Sequence, residues 1–174
     1  MPVPQPPDPA RPPSGPSSPV PAALAYRVTA TAFAVAPVLV LVAVAFAAPP
    51  ATESLPLWLT AAIIATVLAS GVLAELIGYQ IEPLASLDQT QVGLARLQQA
   101  AVLRFALVEA TIIIAMVLAF VLPYGWWPAL VGVVVGLPTL AFHVWPSRRM
   151  VGKTADRLES RGMPSGVREA FGHR

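Results

Sequence analysis

The sequence predicts an all-α integral membrane protein: a four-helix bundle of spanning helices, with a disordered Pro-rich N-terminal tail and a basic amphipathic C-terminal helix. Three observations carry this. Four apolar segments, each near the length needed to cross a ~30 Å hydrocarbon core, fill most of the 174 residues. Only 11% of the chain is charged and 56% is hydrophobic, against roughly 25% charged in a soluble domain. The eleven basic residues all fall in alternate connecting segments. So few charges leave too little polar surface to cover a globule in water.

Residues 1–25 form the tail. Ten of the twenty prolines lie within its first 21 positions, with Ser and Gly between them. Proline removes backbone donors, and this stretch has little apolar surface to bury, so an extended, disordered tail is expected. The spanning domain covers 26–146. Its first span is expected at about Val28–Ala48, with Pro37 inside it. That apolar run is longer than the 7–15 residues of a signal-peptide core, so it is expected to stay as a span. The second span is expected at about Leu57–Ile77, the third at Phe105–Leu122 and the fourth at Trp126–Trp145. Trp58, Trp126, Trp127 and Trp145 all lie at span ends, as do Tyr26, Tyr79 and Tyr124. Amphipathic rings prefer the headgroup level, so this placement reads as an aromatic belt.

Charge asymmetry sets the orientation. Arg11 and Arg27 precede the first span, and Arg96 and Arg104 fall between the second and third. Seven more basic residues, from Arg148 to Arg174, follow the fourth. The segments 49–56 and 123–125 carry none. By the positive-inside rule both termini are expected in the cytoplasm. Ten of the eleven basic residues are Arg, and Ala, Val and Pro abound. This composition suggests GC-rich coding and a bacterial inner (plasma) membrane.

Two polar extensions are expected on the cytoplasmic side. Ser86 and Gln89 have capping-box spacing, and no proline follows until Pro123, so one helix is expected from about Leu87 through the third span. Its projecting turns, 86–100, offer a docking surface for a protein partner. The tail 147–174 opens at Ser147, a good N-cap. Val151, Ala155 and Leu158 recur there at helical spacing beside basic residues, which suits an anionic membrane surface. Nucleic acid is not an expected partner for so short a segment tethered to lipid.

Small residues mark candidate packing faces. Gly132 and Gly136 form a GxxxG in the fourth span. Ala61, Ala65 and Ala69 form a stripe in the second, and Ala106, Ala110, Ala115 and Ala119 do so in the third. Packing within the bundle and a homo-oligomer are both open readings of the GxxxG.

Few groups can carry chemistry. There is no cysteine, and the two histidines, His143 and His173, do not suggest a metal site. No nucleophile triad, phosphate loop or paired acid motif is present, so no enzyme activity, cofactor or metal is expected. Glu75, Arg104 and His143 fall at similar depth near the cytoplasmic ends of their spans. Glu75 with Arg104 is the expected ion pair, and His143 is expected to hydrogen-bond at the interface. Glu109 lies one to two turns deeper. A charge at that depth costs about 2.5–3.5 kcal/mol on insertion scales, so Glu109 must face the bundle or a subunit contact, or carry a proton.

The third span reads Phe105-Ala-Leu-Val-Glu109-Ala110, then Ile113, then Val117-Leu-Ala-Phe120. This resembles the second helix of the proteolipid c subunit of rotary ATP synthases, where a carboxylate binds the transported proton. The resemblance implies that Glu109 is a proton-binding candidate. It covers about 18 residues, and the preceding span lacks that family's glycine-rich repeat. The chain also resembles small four-span membrane proteins of GC-rich bacteria, which implies no activity. The expected function is a non-enzymatic membrane protein, either an accessory subunit or a scaffold. The alternative is a proton- or ion-coupled transport component that uses Glu109.

Overall fold

Inside a bilayer every backbone polar group needs an internal partner, and a helix supplies one within each segment. The structure, a computed structural model, describes residues 19–84 and 90–172, and all its regular elements there are helices. They are α1 (Pro19–Ala47), α2 (Leu57–Ile77), α3 (Thr90–Val121), α4 (Trp127–Val144), α5 (Arg148–Leu158) and α6 (Val167–Ala170). The first four are long and apolar enough to cross a membrane. The chain is thus built as a multi-pass membrane protein with lipid-facing helices.

The first helix starts earlier than the proline content implies. Pro19 and Pro21 sit in its first turn, where the missing N–H groups would have no helical partner anyway. Ala23 and Tyr26 are already buried, so part of the stretch read as tail belongs to the bundle. Residues 1–18 and the Ser86–Gln89 capping box lie outside the described residues.

The interior is built mainly by α3 against α4, with α2 on one flank and α1 on the other. Gly132 and Gly136 lie inside this contact. A Cβ on Gly132 would sit 2.5 Å from the Ala115 side chain, and one on Gly136 would sit 2.5 Å from Ile112. Close approach gains dispersion contacts where lipid gives no hydrophobic drive. On α2 the buried face is Leu59, Ile63, Val67, Ser70, Gly71 and Ala74. Ala61, Ala65 and Ala69 are exposed instead, as are Ala106 and Ala110 on α3, whereas Ala115 and Ala119 are buried. The same rotation lets Ser70 meet Thr111 at 3.4 Å and turns Glu75 toward α5. Such a rotation puts the alanine stripe outward.

The two ends are closed differently. At one end the backbone N–H groups of Thr52 and Glu53 both donate to the Pro123 carbonyl, at 2.9 and 3.1 Å. At the other, basic end, the C-terminal segment folds back under the bundle. Ser147 caps α5 by accepting from the Met150 N–H at 3.3 Å. Met150, Val151, Ala155 and Leu158 are fully buried. The Leu84 N–H donates to the Leu158 carbonyl at 3.0 Å, and the Phe171 ring meets Tyr26 edge-on at 5.6 Å. The amphipathic helix therefore does not lay its apolar face on a membrane surface. That face joins the protein core in one cluster with Leu84, Leu97, Ala101 and Val144. Gly93, Leu97, Ala100 and Ala101 in the extension are buried too, and Gly93 packs on Ser165 and Val167.

Candidate functional site

Two places bring ionisable groups into the spanning region. The first is a cluster at the basic end. Glu75 lies in the last turns of α2, and its Oε1 accepts from Arg149 Nη2 at 2.7 Å and from Lys153 Nζ. Arg149 and Lys153 stand one turn apart on α5, so one carboxylate oxygen meets both. His143 Nδ1 is 3.6 Å from Glu75 Oε2, beyond hydrogen-bond reach. The two cations also lie over aromatic faces, Arg149 4.2 Å from the Phe142 centroid and Lys153 4.4 Å from that of Tyr79.

Arg104 is fully buried beside this cluster. Its guanidinium lies 4.2 Å from the Tyr79 centroid, a contact worth about 0.5–2 kcal/mol. Nη1 donates to the Gly78 carbonyl over a long 3.4 Å. Gly78 caps the C-terminus of α2, so the cation stands at the negative end of that helix dipole. The Arg104 stem lies where a Cβ on Gly78 would be, so no other residue fits there. Nε and Nη2 of Arg104, the Tyr79 hydroxyl and His143 Nδ1 find no partner among the described residues.

The expected pair thus shares one end of the bundle, but the structure gives Glu75 other partners. α5 presents two flexible cations to it, while Arg104 is drawn under Gly78 to the Tyr79 ring. The spacing of Arg149 and Lys153 was visible in the sequence. It pointed to lipid headgroups only because the helix was expected on the membrane surface. His143, expected to hydrogen-bond at the interface, is 4% exposed in the α2–α4 contact, and its Nδ1 has no hydrogen-bond partner among the described residues.

The second place is Glu109. It lies partly exposed in a groove of about 360 Å³ between α1 and α3, walled by Pro37, Val40, Val44, Ile113, Met116 and Phe120. Among the described residues no charged or hydrogen-bonding side chain reaches its carboxyl. The groove opens on the outer wall of the bundle, where Val40, Ile113, Val117 and Phe120 are exposed. Glu109 is therefore separate from the basic-end cluster. Among the described residues no group of three or more His, Cys, Asp or Glu side chains is placed to hold a metal.

No family model, curated protein or solved structure matches the chain.

Proposed function

We propose that this protein is a non-enzymatic accessory subunit or scaffold of the bacterial plasma membrane, with both termini cytoplasmic. Its outer groove at Glu109 receives side chains from a span of a different membrane protein. The observation that carries this is the position of Glu109, a carboxyl on the outer wall of the bundle with an apolar rim and no partner among the described residues. Lipid cannot satisfy it, and a second transmembrane helix can. The groove has room for two or three side chains rather than a whole helix, so the partner would insert side chains from an adjacent span. The residues walling the groove include no base. A two-fold dimer through this face would bring two carboxyls together, so a span bearing Lys, Arg, Ser, Thr or Asn is the complementary occupant. The pairing of Glu75 with Arg149 and Lys153 supports a structural role for the basic-end cluster.

Affinity purification in mild detergent tests the reading. The wild type and Glu109→Gln, which keeps a hydrogen-bonding group, should retain one stoichiometric membrane partner. Glu109→Leu should lose it. Retention of the same partner by Glu109→Leu would end the reading, and a homo-oligomer alone would replace it with self-association.

The same carboxyl, without a partner among the described residues, favours a second reading, a proton- or ion-coupled transport component. It requires that a hydrophobic carbodiimide label Glu109 and that Glu109→Gln abolish function while the fold survives. A silent Gln variant with no labelling removes it.

A further inference from the structure

We infer that the crevice between the end of α2 and the start of the α3 span binds the headgroup of an amine-bearing zwitterionic phospholipid. Its phosphate sits at Arg96 and its ammonium at Glu82. The crevice holds about 380 Å³, and Ile77, Gln80, Glu82, Arg96, Gln99 and Leu103 line it. Its position argues for a lipid rather than a free metabolite. Ile77 ends the α2 span, and both Ile77 and Leu103 are exposed, so the crevice is polar at one edge and lined by exposed apolar side chains at the other. Arg96, Ala100 and Leu103 follow helical spacing along one face of α3, which aligns the cation above the apolar wall.

Arg96 is held in place. Its Nη1 donates to the carbonyls of Glu82 and Pro83, the latter at 3.0 Å, and Nη2 lies 3.6 Å from the Glu82 carboxylate. A guanidinium fixed in this way is a pre-organised phosphate donor. Glu82 is 78% exposed at its side chain and has capacity for a second cation. The crevice thus presents a positive and a negative group side by side. A phosphoethanolamine headgroup offers the reverse order. A purely anionic headgroup would meet Glu82 without a counter-charge, and a trimethylated amine has no N–H to donate to it. The amide of Gln80 donates to the Leu76 carbonyl at 3.2 Å, which holds that side chain at the rim. Gln99 also lines the crevice and is exposed, so it offers a further polar side chain beside the charged pair.

The test uses the full chain, delipidated in detergent, with phosphatidylethanolamine, phosphatidylglycerol and phosphatidylcholine added singly and retention read by native mass spectrometry. Phosphatidylethanolamine should be retained in preference to the other two. Soluble phosphoethanolamine should not compete, because it lacks the acyl chain that lies along Ile77 and Leu103. Arg96→Gln should lower retention at least about tenfold, the fold-change expected from one charge-assisted hydrogen bond. Glu82→Gln alters an exposed group and should fold even if Arg96→Gln does not. It should remove the preference for phosphatidylethanolamine over phosphatidylglycerol. Equal retention of all three lipids, or a preference that survives Glu82→Gln, would overturn the inference. Competition by soluble phosphoethanolamine would overturn the lipid assignment.

Discussion

Tyr26 donates its phenolic hydrogen to the Val144 carbonyl at 2.7 Å, joining the start of the first span to the end of the fourth across 118 residues. Both groups are buried, and Phe171 packs edge-on against the same ring. One side chain therefore ties α1, α4 and the C-terminal segment together. Tyr26→Phe keeps the ring packing and leaves a buried carbonyl unsatisfied. It should destabilise the bundle by about 1–3 kcal/mol, read as a lower melting temperature in detergent. An unchanged melting temperature would show that water replaces the hydroxyl.

Glu75 is bonded to α5, and Arg104 to Gly78 and Tyr79, so their energetic couplings should differ. In double-mutant cycles, Glu75→Ala with Lys153→Ala should show a coupling of about 0.5–3 kcal/mol. Glu75→Ala with Arg104→Ala should show a smaller one. A larger coupling to Arg104 would restore the ion pair that span depths alone imply.

The fold of α5 gives a sharper contrast. Leu158 is fully buried against the bundle. Leu158→Ala should cost about 2–5 kcal/mol, the usual range for a buried Leu. A helix resting on lipid would lose membrane affinity instead, with no change in the melting of the spanning domain. Melting curves of the detergent-solubilised variant separate the two.

The spans were legible because hydropathy and length are local properties, and a bilayer enforces both. α2 matches its expected bounds for that reason, and Ser147 serves as the N-cap its residue type implies. The cluster partners were not legible. Whether Lys153 meets lipid phosphate or Glu75 depends on how the chain turns after Pro146, and an amphipathic helix reads the same way in either place. The alanine stripe on α2 misled for a related reason. Small residues permit close approach without requiring it, and the buried face of α2 is instead the one that carries Ser70, Gly71 and Ala74. Glu109 was legible as a costly group, while the choice between the bundle interior and an outer contact stayed open. Its direction depends on where α1 packs along α3.

Topology reporters address the orientation directly. Fusions after Gly162 should report the cytoplasm, and an insertion near Thr52 should report the opposite side. The motive is the absence of any basic residue in 49–56 and 123–125. A periplasmic signal from the Gly162 fusion would invert the assignment.

If another protein's span covers the Glu109 groove, a photo-crosslinker placed there in the membrane of living cells captures it. Two sites should be compared: Ile113, on the rim of the groove, and Val72, an exposed position on α2. Position 113 should give one discrete adduct with a different membrane protein, lost in Glu109→Leu, and position 72 should give none. Adducts of equal yield from both positions, or a position-113 adduct that Glu109→Leu leaves intact, would contradict it.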